Sequence, residues 1–336
     1  MLELGNTESD NDMGSTTSME PKVSVIMPAY NAAGLIAFAL DSVLQQTFQD
    51  FEIVVVNDGS PDTVELEKVL QPYLPKIVYV KQENKRAAGA RNTAIRQAKG
   101  EFLAFLDSDD SWFPDHLESQ MKLFAEDPKL DLVYSDCLAL GDPARPHKWM
   151  DRCPSEGEAT FAALVVERCQ IPISAVVARK SAIVKAGLFD ETLTRCDDYD
   201  MWLRTAFHGA KIGYTRKVQA RVNDGRPGSL GASPVKMVEA YWKILERAEQ
   251  TLPLSDADRE IVQKRAAEIR ARYLIEEAKV QLGEGDFDKA KALFSEANSY
   301  LRRPKVSLLL LGLQISPRAT TKIISFARRI LGTAPA

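Results

Sequence analysis

The chain has 336 residues, 43 Lys and Arg against 47 Asp and Glu, a formal net charge of −4 and 45% hydrophobic residues. This is the composition of a globular protein with one sizeable domain and an extension, and it excludes collagen-like, purely coiled-coil and disulfide-scaffold chains. An acidic balance argues against nucleic acid as a partner, because such binders need surplus Lys and Arg to displace phosphate counterions, and four cysteines without a CxxC pair offer no zinc or haem motif.

Residues 1–20 are polar and nearly free of large apolar groups, so a disordered lead is expected. They lack the basic and apolar regions of a signal peptide, and the expected location is the cytoplasm. From Val23 the texture changes. Short β-branched runs at 23–27 and 51–56 read as buried parallel strands, and the apolar positions between them recur at helical spacing. The alternation continues with a strand at 77–80, a helix at 88–98 and a strand at 102–106, which makes an open α/β sheet flanked by helices. A helix at 114–125, a strand at 132–135, an irregular stretch at 141–157, a strand at 173–179, helices at 181–186 and 199–207 and a strand at 211–221 follow. This domain is expected to span residues 21–231, leaving a helical C-terminal region over 232–336. Within that region residues 265–298 read as one helix pair of tetratricopeptide type, which must pack on something because one pair cannot bury its own face. Residues 305–331 mix Leu-rich segments with Arg and Lys, a pattern that fits peripheral contact with a membrane surface or an ordinary bundle helix.

In an open α/β sheet ligands sit beyond the carboxyl ends of the strands, so the residues just after each apolar run are the informative ones. They are PAYN (28–31), NDGS (57–60) and DSDD (107–110). No GxGxxG and no GxxxxGK[ST] occurs, which removes the phosphate cradles of dinucleotide dehydrogenases and P-loop NTPases. Three carboxylates within four residues repel one another unless a cation or a basic group sits among them. Hard oxygen donors suit Mn²⁺ or Mg²⁺ bridging a nucleoside diphosphate.

Five ordered motifs carry a resemblance over roughly residues 22–230: VSVIMPAYN (23–31), VVVNDGSP (54–61), ARNTAI (90–95), GEFLAFLDSDD (100–110) and DDYDMWLR (197–204). Together they resemble the family-2 inverting glycosyltransferases of GT-A fold, in particular those of bacterial surface polysaccharides. The resemblance implies an open mixed sheet, a nucleotide-diphosphate sugar donor, a glycan or lipid-linked acceptor and a place at the cytoplasmic face of the inner membrane. It puts Pro28, Ala29 and Tyr30 against the nucleotide base, Asp58 on base or ribose, Arg86 on base or diphosphate, and Ser108 beside them. Asp107 and Asp109 match the Asp-x-Asp metal motif, with Asp109 the direct ligand. Asp198 matches the catalytic base, and Asp197 stands before it where Glu is commoner.

Two departures stand out. Many relatives carry His two residues after the Arg of the last strand, where this chain has Asn223, and the Gln-x-x-Arg-Trp of processive synthases is missing. Several residues also have an ordinary alternative: a turn for Asp58, a solvated acidic loop for Asp107 to Asp110 with Asp110 or Ser111 capping the next helix, a helix cap for Asp197 and Asp198, core packing for Trp202, and surface charge for Arg86 and, as the preferred reading, Arg91. A GT-A-like scaffold without activity and a sugar-nucleotide nucleotidyltransferase are the rival functions; the second wants a Gly-rich basic loop after the first strand, and PAYNAAG (28–34) has no basic residue.

Overall fold

The computed structural model describes residues 20–141, 146–223, 233–302 and 304–316. The polar lead, part of the 141–157 stretch, the end of the 221–230 loop and the basic residues from Arg318 to Arg329 lie outside the described residues.

The described strands are β1 (Val23–Ala29), β2 (Phe51–Asp58), β3 (Val78–Gln82), β4 (Phe102–Phe105), β5 (Ser111–Trp112), β6 (Leu132–Ala139), β7 (His147–Lys148), β8 (Val176–Arg179) and β9 (Ile212–Val222). The helices of the same half are α1 (Ile36–Leu44), α2 (Thr63–Leu70), α3 (Arg86–Gln97), α4 (His116–Glu126), α5 (Trp149–Arg152), α6 (Phe161–Val165), α7 (Lys180–Lys185) and α8 (Asp197–Phe207). They are followed by α9 (Pro234–Thr251), α10 (Asp256–Glu284), α11 (Phe287–Leu301) and α12 (Pro304–Ile315).

The strands form one sheet in the order β3-β2-β1-β4-β8-β6-β9-β5, with β7 paired to β6. The first half is parallel throughout, β1 pairing with β2 and β4, and β2 with β3. Strand β8 then runs antiparallel between β4 and β6, so the sheet is mixed, and the run at 173–179 divides into a 3₁₀ turn at Ile173–Ala175 and the strand proper. The apolar runs alternate between two cores, as a period of two requires. Ile26, Val54, Val56, Leu103 and Phe105 face one side, and Val25, Met27, Ile53, Val55 and Ala104 face the other. Each large aliphatic side chain fully buried there contributes about 1.5–3 kcal/mol of transfer free energy.

The connections out of β1 lead to β2 on one flank, while its other neighbour is β4, which arrives later in the chain. That is a topological switch point, and a crevice opens between loops that leave it in opposite directions. The loops after β1, β2 and β4 carry the three polar signatures, so sheet topology alone gathers them.

The C-terminal helices are not a loose tail. Ile244 and Leu245 of α9 and Val262, Ala266 and Ile269 of α10 share one core with Ile26 and Trp202 of the sheet domain. Arg247 of α9 pairs with Asp190 in the segment before α8. Helix α10 begins at Asp256, well before the 265 expected, because Ser255 caps it by accepting from the backbone N–H of Asp258 at 3.1 Å. It pairs with α11 through Ala271, Leu274 and Ala297, after a turn in which Gly285 adopts φ +84° and Asp286 caps the second helix. Helix α12 tucks Leu313 against Phe294 and leaves Leu308 and Ile315 largely exposed. Among the described residues no helix is long and apolar enough to cross a membrane.

Candidate active site

A cleft of about 860 Å³ lies over the switch point. Pro28, Ala29, Tyr30, Asp58, Arg86, Asp107, Ser108, Asp109, Asp197 and Asp198 all line it, so every candidate residue from the sequence converges on one place.

One rim of the cleft is built by strand ends tied to one another. After β1 the chain turns through Asn31 at φ +51°, and its backbone N–H donates to Ser60 Oγ at 2.6 Å. The N–H of Ala33 donates to Asp62 at 2.8 Å, so the loops after β1 and β2 hold each other. Asp58 is buried at the end of β2, where its Oδ1 accepts from Gln82 Nε2 at 2.6 Å and from the N–H of Lys85 at 2.8 Å. Gly59 follows at φ +62°, and a Cβ there would stand 2.7 Å from the backbone nitrogen of Asn84; only glycine fits both the angle and the space. Tyr30 is 54% exposed, a ring edging open solvent rather than the core. Arg86 opens α3 in a left-handed conformation, φ +63°, and stays exposed at the rim.

The DSDD loop is braced from below. Asp107 donates its N–H to Ser174 Oγ at 3.1 Å, and the Ser174 hydroxyl donates to Asp110 at 2.5 Å. Asn223 donates its N–H to Asp110 at 2.8 Å and its side-chain amide to the backbone carbonyl of Asp109. Asn223, in place of the expected His, therefore shapes the acidic loop. Asp110 is buried beneath the cleft floor. Burial, followed by the charges of Asp107 and Asp109, pushes its carboxyl well above the usual carboxylate range.

The facing wall is the first turn of α8. Cys196 precedes it at φ +55°, and Asp197 and Asp198 place two carboxylates where the helix dipole favours negative charge. Asp198 Oδ1 accepts from the N–H of Tyr199 at 2.8 Å, and its Oδ2 accepts nothing from the described residues. Part of Asp198 opens to the cleft, yet protein surrounds it densely. Burial and the adjacent Asp197 push its pKa up to about 6, against the pull of Arg91.

Arg91, read from sequence as a surface charge, is buried instead. Its NH1 donates to Asp197 at 2.6 Å and its NH2 to Asp107 at 2.7 Å. Burial alone would weaken its hold on a proton, but Asp107, Asp197 and Asp198 more than offset that, and the guanidinium stays charged. Trp202 is core, edge-on to Phe105 and Phe189, and also borders the cleft.

Sequence reasoning missed the far wall. Met237 and Tyr241 of α9 line the cleft with Lys236, and Tyr241 packs on Tyr199 with ring centroids 4.7 Å apart. Met237 touches Cys196 across 4.0 Å, sulfur to sulfur. The helical period of α9 was readable, but nothing local says that its apolar face abuts the turn that opens α8.

Hard carboxylate oxygens at Asp107 and Asp109 fit a divalent ion of the Mg²⁺ or Mn²⁺ type, which takes one or two protein carboxylates and completes its shell with water and phosphate. Among the described residues no group of three or more His, Cys, Asp or Glu comes together as a metal site.

Solved structures share this architecture. A mannosyltransferase from Pyrobaculum calidifontis, in complex with GDP-Man and Mn²⁺, superposes with a TM-score of 0.60 at 20% identity, covering 94% of this chain and 89% of that one. S. aureus TarS residues 1–349, in complex with UDP, superposes at 0.58 with 18% identity over 94% and 93%. The fold is that of the GT-A glycosyltransferases.

In sequence, the model of glycosyl transferase family 2 matches residues 24–157. The UDP-Glc:alpha-D-GlcNAc-diphosphoundecaprenol beta-1,3-glucosyltransferase WfgD of Escherichia coli is 33% identical over 182 residues, 55% of this chain and 68% of the relative. An uncharacterized glycosyltransferase of Rickettsia typhi is 29% identical over 231 residues, 66% of this chain and 70% of the relative, whereas the match to one of Rickettsia felis spans only 31% of that protein. The chain belongs to glycosyltransferase family 2.

Proposed function

We propose that this protein transfers a sugar from a nucleoside-diphosphate donor to an acceptor hydroxyl by a single displacement that inverts the anomeric carbon. The observation that supports it most is the convergence of five separated motifs on one cleft, with the acidic loop after β4 on one wall and the ionisable first turn of α8 on the other.

In this reading Pro28, Ala29, Tyr30, Asp58, Arg86 and Ser108 hold the nucleotide. Asp109, with Asp107, holds a divalent ion, Mn²⁺ or Mg²⁺, which when bound offsets charge on the departing diphosphate. Asp198 is the base. Its Oδ2 takes the acceptor O–H proton as the acceptor oxygen bonds to the anomeric carbon, while the bond from that carbon to the diphosphate oxygen breaks and the electron pair leaves with the diphosphate. A pKa of about 6 leaves Asp198 mostly ionised at neutral pH yet more basic than an ordinary aspartate, which suits proton abstraction. No enzyme nucleophile is needed, and an α-linked donor gives a β-linked product.

The acceptor enters past Tyr199, Met237 and Tyr241. A lipid-linked glycan at the cytoplasmic face of a membrane suits this reading: the relative WfgD is a glucosyltransferase of alpha-D-GlcNAc-diphosphoundecaprenol, and α12 exposes Leu308, Leu311 and Ile315. Assembly of a cell-surface glycan is the corresponding role.

The test is thermal stabilisation by UDP, GDP, UDP-Glc, UDP-GlcNAc and GDP-Man, each with and without Mn²⁺, because a ligand that binds only the folded state raises the melting temperature. A shift with one nucleotide that requires the ion is expected. No shift with any member of the panel would contradict the reading.

A further inference from the structure

We propose that Arg91 is a positioning residue that fixes the donor end of the cleft to the base end, an inference that rests on the roles given above to Asp107 and Asp198. Its side chain is 6% exposed, and the two arms of its guanidinium reach carboxylates from opposite walls: Asp107 at 2.7 Å after β4 and Asp197 at 2.6 Å at the start of α8. Those two residues are 90 positions apart in sequence, so this one fork is a direct bond between the loop at the diphosphate and the turn that carries Asp198.

The neighbouring residue strengthens the assignment. Asn92 donates its amide to the Phe189 carbonyl at 2.8 Å and accepts from the Phe189 N–H at 2.9 Å, and it also donates to Glu191 at 2.9 Å. The Phe189 ring lies 5.6 Å from the Arg91 guanidinium carbon. Two consecutive residues of α3 thus grip the segment that leads into α8 near its beginning and at its end. Helix α3 packs against β1 and β2, and the turn that carries Asp198 is tied to it.

The chemistry gives this linkage a purpose. In-line displacement needs the base and the leaving group opposed across the anomeric carbon, and a misplacement of about 1 Å costs on the order of a hundredfold in rate. A planar guanidinium with fixed donors sets two carboxylates at a defined separation, whereas a lysine ammonium is a single point on a flexible stem. The same fork supplies one positive charge among Asp107, Asp197 and Asp198, so a purely charge-neutralising role has to be separated from a positioning one.

The experiment measures nucleotide affinity by calorimetry and hydrolysis of whichever of UDP-Glc, UDP-GlcNAc or GDP-Man the wild-type protein turns over. Arg91→Lys keeps the charge and loses the fork; turnover of bound donor is expected to fall about tenfold or more, with nucleotide affinity within about twofold and the protein still folded. Turnover and affinity within about twofold of wild type would overturn the proposal. Because Arg91→Met leaves buried carboxylates unpaired and threatens folding, it is combined with Asp197→Asn, which removes one of them. The double variant is compared with Asp197→Asn alone. At least about tenfold lower turnover in the double variant is expected, and equal turnover would show that Arg91 only neutralises Asp197. A wild-type protein that binds no nucleotide fails the proposed function itself, whereas an active wild type with indifferent Arg91 variants fails this inference alone.

Discussion

The two walls of the cleft are built by different means. The wall proposed for the donor comes from residues that directly end buried strands, Pro28 to Tyr30, Asp58 and Asp107 to Asp109, each placed by the strand before it. The wall proposed for the acceptor is assembled from α8, from the 169–173 segment and from α9, elements far apart in sequence that meet only through packing. A strand end is a rigid, locally encoded platform, while a wall made by helix docking depends on the whole core. Damage to the first should therefore read out in nucleotide binding, and damage to the second in transfer.

The largest effect expected is that of Asp198→Asn, which removes the proposed base and keeps the shape. Transfer should fall by roughly 10²–10⁴, with nucleotide affinity within about twofold by calorimetry. Comparable losses of both would erase the distinction between the walls. Asp109→Asn should do the reverse, lowering Mn²⁺-dependent donor affinity about tenfold or more in the same titration. Next comes pH. As the proposed base Asp198 would have to be ionised, and burial with its Asp197 neighbour raises its pKa to about 6, so kcat should climb with pH through about 6 and level off above, roughly tenfold higher at pH 7 than at pH 5. An ordinary aspartate would give a flat profile over that range. The smallest effect belongs to the α9 face: Tyr241→Ala should raise the acceptor KM roughly threefold to tenfold and leave donor hydrolysis unchanged, which sharpens the proposal that the acceptor enters past Tyr241.

How far the sequence reaches follows the same division. The order of strands and helices through β4 and the acidic strand ends were legible, because buried parallel strands appear as short apolar runs and their ends as abrupt polar turns. The direction of β8 was not, since an apolar run carries no sign of whether its partners run with it or against it. Arg91 misled because α3 buries Ala88, Gly89, Ala90, Arg91, Asn92, Ala94 and Ile95 around most of its circumference, leaving no polar face against which a buried arginine could be told from an exposed one. Ser174 and Asn223, which brace the DSDD loop, sit 64 and 113 positions from Asp110, and only the folded sheet brings them under it. Tyr241 belongs to a helix whose period was read correctly, but its place against Tyr199 is a property of tertiary packing.

The central claim is a single displacement with Asp198 as base, and the anomer of the released sugar tests it most directly. Hydrolysis of an α-linked nucleotide sugar by the wild-type protein with Mn²⁺ is followed by proton NMR from the first minutes, before mutarotation mixes the products. The account predicts that the β anomer appears first. Release of the α anomer first would mean retention, and would remove both the single displacement and the role given to Asp198.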